Sequence, residues 1–532
     1  MDDKVLGFTP RELLNDFRKG KSLYWDIIVI GGGITGAGVL REAARRGYRA
    51  LLLEQCDFSW GTSSRSSKMV HGGLRYLVSG NINLTRHSLL ERERLISEAS
   101  GLVERISFYF SLGKNLFPGR WTMTIALYIY NLIAGIRARC YSNNQDLSTR
   151  FKGLDVNKIN GACFYSDAMA DDSRLVLRVL QESIAAGAAA LNYIKVTDLL
   201  VEQGQVQGVM INDPETDKEI QLRAPVVINA TGAWADKLRN HVNAEKRIRP
   251  LRGSHLVVPK ALCLVEEVLA FLHPEDKRNI YIYPWEGTTV IGTTDLDHPQ
   301  DLDIEASISE TEIEYLLGGL SHLFPTMNLQ REDIISTWAG VRPVIGSEKS
   351  KDPSKERRDH AVWSDKGLIT VTGGKLTTFR LIALDALNAA KSRLPEALPF
   401  TDERVFTEPG ITPKDLQLND IKWAQRLLGR YGSAIQTLLA EAQPEQCQLI
   451  GETFFCMAEC QWALRYEAVI HLDDLLLRRS RLGMLLPRGG EMLFGQLKDL
   501  CCKELGWTQH QWQIELARYN KIWQQHYSLP QN

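Results

Sequence analysis

The chain has 532 residues, long enough for two or three domains, and its 64 acidic and 63 basic side chains leave a net charge of −1. That balance excludes nucleic-acid binding as a main role, and an apolar share of 44 % is ordinary for a globular protein. The nine cysteines, at 56, 140, 163, 263, 447, 456, 460, 501 and 502, form no CxxC pair and no zinc or iron–sulfur spacing. No metal site is expected, and the thiols read as those of a reduced, intracellular protein.

The first twenty residues mix charges without an apolar stretch, which is not a signal-peptide pattern. They predict only a short helix over Pro10–Arg18. Residues 24–54 carry far more. An apolar run (Ile27 to Ile30) meets Gly31, Gly32, Gly33 and Gly36, an amphipathic segment follows, and a second apolar run (Ala50 to Leu53) ends in Glu54. This predicts strand, glycine turn, helix, strand. Such a turn lets the backbone approach a pyrophosphate, which the helix N-terminus faces with unpaired N–H groups and positive dipole. Glu54, about twenty residues on, stands where an acid accepts hydrogen bonds from a ribose. The pattern predicts a bound dinucleotide without choosing between NAD and FAD.

From Asp57 to Leu77 a run of hydroxyls, glycines, a histidine and cations departs from ordinary loop composition. Trp121 to Ile136 then carries no charge and is flanked by Arg120, Arg137 and Arg139. It is shorter than the roughly 20 residues a spanning helix needs. Its aromatics and flanking arginines suit a helix lying in a bilayer interface, although a buried core helix would read similarly. Two later segments suggest further walls of the dinucleotide site. Val226 to Trp234 is an apolar strand ending in the small-residue turn Ala230-Thr231-Gly232. Gly367 to Thr378 is a strand running into Gly373 and Gly374, with a helix expected from Thr377 to Ala390. Between them, strands are expected at Ile280 to Tyr283 and Val290 to Gly292. Beyond residue 405 the apolar and cationic spacing of Trp423, Leu427 and Leu428, and of Leu475, Leu476, Arg478 and Arg479, reads as a helical bundle face.

The segment Thr62-Ser63-Ser64-Arg65-Ser66-Ser67-Lys68-Met69-Val70-His71-Gly72-Gly73-Leu74-Arg75-Tyr76 resembles the flavin loop of the FAD-dependent glycerol-3-phosphate dehydrogenases, the membrane-associated type that feeds quinone. The resemblance continues through Asp171 to Val176, Arg252 to Pro259, Ile291 to Asp295, Thr337 to Pro343 and Gly373 to Thr378. It covers residues 24–400, and 405–532 more loosely. It implies an α/β flavoprotein with a Rossmann-like FAD domain of the glutathione-reductase type (24–110, 150–235 and 335–400). A mixed α+β substrate domain (236–334), an apolar membrane-docking segment (111–149) and an α-helical C-terminal domain (405–532), structural or for a homodimer contact, complete it. FAD is the implied cofactor, held by Gly31, Gly33, Gly36, Glu54, Thr62, Ser63, Ser67, Lys68, His71, Gly72, Ala230, Thr231, Gly232, Gly373, Gly374, Lys375, Leu376 and Thr377. The implied reaction is oxidation of sn-glycerol 3-phosphate to dihydroxyacetone phosphate, with electrons passed to a membrane quinone at the cytoplasmic face of the cell membrane, against anionic lipid.

That chemistry needs cations for the phosphate, best as arginine forks, and a base near the C2 hydroxyl. The implied clamp is Arg342 and Arg358 with Arg75, Tyr76 and Lys375; Arg357 competes with Arg358 for its place. His255 and His71 compete as base, with His255 preferred and His71 against the flavin ring. Arg342, between Val341 and Pro343, lies in apolar surroundings where a cation needs a partner. His360 stands where the family pattern has tyrosine, and the N-terminal extension is longer than the family needs. Both leave room for a related polyol phosphate such as erythritol phosphate. Alternative readings are an O₂-using oxidase of the same family, an amine or amino-acid oxidase on the related fold, and a flavin-binding protein without turnover.

Overall fold

A computed structural model describes residues 10–73, 82–114, 119–133, 141–346, 359–399 and 404–530. The expected strand–turn–helix–strand is present as Ile27–Ile30, Ile34–Ala44 and Ala50–Leu53. These strands belong to a six-stranded sheet in the order 360–365, 368–373, 226–229, 27–30, 50–53, 189–191. All its neighbours are parallel except the first pair. The run Ile27–Ile30 is apolar throughout because both faces are covered. Ile27 and Val29 pack under the helices 34–44, 172–185 and 379–390. Ile28 and Ile30 pack beneath a three-stranded antiparallel layer (196–202, 205–212, 219–223) and the helix Pro10–Arg18. That helix is tied down where Arg18 Nε meets Asp213 Oδ2 at 2.7 Å.

The second sheet has ten strands, eight along its main path, and one of the other two, Ser336–Ile345, pairs antiparallel with Ile248–Pro259 at its side. The expected strands near 280 and 290 are there, as Asn279–Trp285 and Thr288–Gly292. The sheet also takes Val103–Gly113, Ile159–Ala170 and Ser336–Ile345, parts of which the sequence reading placed in the flavin domain. A strand's periodicity reports that it is a strand and which side faces a core, but not which sheet it joins. Alternation again separates two cores. Leu256, Val258, Ile282 and Ile291 meet the helix Glu310–Leu323. Val257, Tyr283, Trp285, Val290 and Trp338 meet the C-terminal helices through Leu472, Leu475, Leu476 and Leu482.

The cationic positions of the C-terminal segment do not face solvent. Arg478 Nε and Arg479 Nη1 each lie 2.5 Å from Asp57 Oδ2, and all three residues are buried. Arg481 Nη2 pairs with Asp171 at 3.0 Å and with Asp172. The helical domain is thereby pinned to the loop just past Glu54 and to the start of the helix Asp172–Ala185.

Candidate active site

A cleft of about 420 Å³ opens at the C-terminal ends of strands 27–30, 50–53, 189–191, 226–229 and 368–373. This is where a parallel sheet holds its ligand. Gly31 has φ +113°, and a Cβ there would stand 2.6 Å from the Ala230 carbonyl oxygen. A Cβ on Gly36 would lie 1.9 Å from the Gly31 carbonyl, so the helix can start this close to the turn only as glycine. Glu54 lines the cleft and closes the turn: Oε2 accepts from Gly32 N at 2.6 Å and Oε1 from Cys56 N at 2.8 Å. Burial pushes its pKa up, against the pull of those N–H groups.

The hydroxyl loop forms the next wall. Ser63 Oγ accepts from Ile34 N at 2.9 Å, capping the helix that follows the glycines. Thr62 Oγ1 donates to the Val341 carbonyl and ties the loop to the second sheet. Gly33, Ala230, Thr231, Gly232, Gly373, Gly374, Lys375 and Leu376 also line the cleft. Gly373 and Gly374 have φ near +78° and +77°, and a Cβ on Gly374 would lie 2.4 Å from Ile382 Cδ1.

Several expected ligands stand behind the cleft instead. Gly36 serves packing. Thr377 Oγ1 bonds both the N–H (3.0 Å) and the carbonyl (3.2 Å) of His71, fixing that backbone. Gly72 is pressed against Leu89 and Tyr130 and donates to Asp167 Oδ1 at 3.2 Å. The Lys68 ammonium is buried 3.0 Å from Asp172 Oδ1, over the rings of Trp285 and Trp338 at 4.5 and 4.7 Å. Burial brings its pKa down to about 8 despite the Asp172 charge.

Ser67 leads to the reactive candidates. Its Oγ lies 2.8 Å from Nε2 of His255, whose ring stacks on Trp338 with centroids 4.7 Å apart and planes 15° from parallel. His255 lies within the strand Ile248–Pro259. Its neighbour Gly292 makes room, since a Cβ there would sit 2.2 Å from the ring. Burial first, then the Arg342 and Lys68 charges, hold the imidazole well below its usual pKa. It is therefore neutral at physiological pH, a weaker base than one tuned to working pH. Its Nδ1 has no hydrogen-bond partner among the described residues.

Arg342 projects from the same side of the sheet as Trp338 and His255, because Leu251 pairs with Arg342 and His255 with Trp338. Its guanidinium is oriented by Asp295 Oδ1 (3.1 Å) and Thr293 Oγ1 (3.2 Å) over the bare backbone of Gly253, where a Cβ would stand 2.5 Å from Nη2. Pro343, the next residue, lines the cleft, as does Lys375. His360 turns its ring to Asp385 at 2.8 Å, and its Cβ lies 3.2 Å from where a Cβ on Gly374 would be. Arg75, Tyr76, Arg357 and Arg358 lie outside the described residues.

Sequence reasoning missed Trp60, Gln55, Trp234, Lys237, His241 and the stretch Ile194 to Thr197, all of which line the cleft. The last could have been found by placing 189–191 as a parallel strand and looking past its end. Trp60 and Trp234, 5.7 Å apart, had no signal in local pattern.

The glycine approaches, the capped helix start and the acid Glu54 lining the cleft fit a dinucleotide, and the walls recruited from three distant segments fit one as long as FAD. Fold and cleft are thus those of a flavoprotein oxidoreductase. The family described as FAD dependent oxidoreductase matches residues 26–380, and the C-terminal domain of alpha-glycerophosphate oxidase matches residues 414–512. The aerobic glycerol-3-phosphate dehydrogenase of Bacillus subtilis is 35 % identical, over 86 % of this chain and 87 % of that protein. A glycerol-3-phosphate dehydrogenase of Mycobacterium leprae is 34 % identical, over 93 % and 87 %. The crystal structure of the Bacillus halodurans glycerol-3-phosphate dehydrogenase with FAD superimposes with a TM-score of 0.76 at 26 % identity, covering 97 % and 98 % of the two chains. The chain belongs to the FAD-dependent glycerol-3-phosphate dehydrogenase family. Glycine oxidase of Geobacillus kaustophilus shares the fold alone, at 20 % identity, a TM-score of 0.53 and coverage of 71 % and 97 %.

Proposed function

We propose that the protein oxidises sn-glycerol 3-phosphate to dihydroxyacetone phosphate and passes the electrons to a membrane quinone. The observation that carries this reading is Arg342: a guanidinium pre-oriented by Asp295 and Thr293 beside the cleft wall, with Lys375 on that wall. Such a fork suits a phosphate dianion and leaves an amino-acid carboxylate as the weaker match for two cations. FAD, when bound, supplies the two-electron acceptor. Arg342 and Lys375 bind and orient the phosphate end, and Arg75, Tyr76 and Arg358 complete the clamp. His255, with Ser67 on Nε2, takes the C2 hydroxyl proton on its imidazole, while buried Trp338 keeps water from that ring. The names of relatives that are 31–35 % identical over most of the chain support the same substrate.

The surface helix Arg120–Ile133 supports a membrane location, which we place at the cytoplasmic face. Met123, Leu127 and Tyr130 face the protein, while Trp121, Ile125, Tyr128 and Leu132 are 60–73 % exposed along one stripe. Among the described residues no helix is long and apolar enough to cross a membrane. A helix lying in the interface needs neither that length nor that composition.

The test is to mix the flavin-loaded protein anaerobically with sn-glycerol 3-phosphate and follow the visible flavin band. Rapid bleaching, with glycerol far slower, supports phosphate-dependent oxidation. Bleaching only by erythritol 4-phosphate would move the substrate and point to the His360 departure, and bleaching by glycine alone would sink the reading.

A further inference from the structure

The end of the chain reaches back to the reactive histidine. Beyond the helix Gln509–His526 the tail meets the start of the strand Ser336–Ile345 at Thr337. Thr337 N donates to the Tyr527 carbonyl at 2.7 Å, Thr337 Oγ1 to the Ser528 carbonyl at 3.3 Å, and Arg331 Nη2 to the Pro530 carbonyl at 2.9 Å. The Tyr527 phenol is buried and fully used. It donates to Glu305 Oε1 at 2.6 Å and accepts from Arg65 Nε and Nη2 at 3.2 and 3.1 Å. Arg65 and Glu305 are also paired with each other.

Two of these partners, Arg65 and Thr337, lead to His255. Arg65 belongs to the hydroxyl loop, and two residues later Ser67 holds His255 Nε2. The Arg65 backbone lies on the second sheet, where a Cβ on Gly340 would stand 2.5 Å from its carbonyl oxygen. Thr337, bonded to the tail, immediately precedes Trp338, on which the His255 ring stacks. The hydrogen bond and the stack that orient the imidazole thus both come from residues within two positions of a group that Tyr527 bonds. A buried polar network with every member satisfied is rigid, and loses that rigidity when one member is removed.

We propose that Tyr527 is a positioning residue for His255. Its hydroxyl locks the flavin loop to Glu305 of the substrate domain and its carbonyl anchors Thr337, so the C-terminal tail sets the Ser67–His255–Trp338 geometry. This rests on His255 taking part in the oxidation proposed above.

Tyr527→Phe removes only the hydroxyl, and Glu305→Gln breaks the same bridge from its other side. Both would be made in the full-length, flavin-loaded protein and read in two ways. In hydrogen exchange, segments 62–70 and 336–341 should exchange several-fold faster, with 27–36 and 226–232 unchanged. In anaerobic mixing with sn-glycerol 3-phosphate, the rate of flavin bleaching should fall roughly 5- to 50-fold, as a displacement of about 1 Å at a reacting group can cost. The pH at which that rate is half-maximal should shift, while flavin content and the substrate concentration for half-saturation stay within about twofold. A contact that only stabilises the fold would leave the pH profile unmoved. Unchanged exchange in both segments overturns the proposal, and so does faster exchange with a wild-type bleaching rate and pH profile. If sn-glycerol 3-phosphate does not bleach the wild type, the functional reading fails separately. The exchange result then decides alone whether the tail holds the two segments.

Discussion

Gly36 has room for a hydrogen atom and nothing larger. A methyl placed 1.9 Å from the Gly31 carbonyl must push the helix off the turn, and with it the N–H groups at a helix start that suit a phosphate. Gly36→Ala should therefore purify largely without flavin, seen as a visible-to-ultraviolet absorbance ratio reduced about tenfold, since about 1.4 kcal/mol is a tenfold change in affinity. Gly253 makes room for Arg342 in the same way, since a Cβ there would stand 2.5 Å from Nη2. Arg342→Met should lower kcat/KM for sn-glycerol 3-phosphate by about 10² to 10³, the loss of one or two charge-assisted hydrogen bonds. Gly253→Ala should fall in the same direction by less, with flavin content unchanged in both. At this scale the sequence was informative where backbone geometry forces a residue type, as with Gly31, Gly36, Gly373 and Gly374. It was weaker for side chains. Lys68 and Arg342 are both cations in apolar surroundings, yet Lys68 is consumed by Asp172 and two tryptophans while Arg342 stands beside the cleft.

The elements follow their patterns closely. Ile27–Ile30, Ala50–Leu53 and Pro10–Arg18 occupy the expected residues, and the helix expected from Thr377 begins at Phe379 after one tighter turn. The helix Arg120–Ile133 shows what pattern leaves open. An uncharged run at this length fits a core helix and an interfacial one equally; the packing of Met123, Leu127 and Tyr130 on one side leaves an apolar stripe outside. The double variant Ile125→Glu with Leu132→Glu should reduce cosedimentation with anionic vesicles at least about fivefold, because each change trades roughly 1.5–3 kcal/mol of apolar burial for a charge facing anionic lipid. Bleaching of the flavin by substrate in solution should be unaffected. Retained vesicle binding would remove this helix from the docking surface.

Across the whole molecule, buried ion pairs join domains that sequence separates by hundreds of positions. Burial alone would raise the Asp57 pKa, but the Arg479 and Arg478 charges hold it down to about 2. Because the folded value lies below the unfolded one, this carboxylate adds stability that is fully present above about pH 4 and is lost as pH falls through about 2. Asp57→Asn takes the paired carboxylate from buried Arg479, which keeps the Glu467 carbonyl, while Arg478 keeps Asp473 and Asp474, and should cost about 3 kcal/mol. It should appear as a lower Tm at neutral pH and a shallower loss of stability between pH 4 and 2. An unchanged Tm would mean that the Asp57 pairs do not hold the helical domain in place.

By itself the sequence determined the dinucleotide turn, the strands around it and the family, because those depend on local rules: glycine where a Cβ cannot fit, and apolar periods of 2 and 3.6 where an element meets a core. Only the tertiary structure decided which sheet the strands 103–113, 159–170 and 336–345 join. Tertiary packing likewise decided that Arg478 and Arg479 face Asp57 rather than water, and that Tyr527 meets Arg65 across 462 positions of chain. A charge or hydroxyl carries the same local signature whether solvated or buried. Its partner is chosen by the folding of distant segments, and burial then makes that choice energetically decisive.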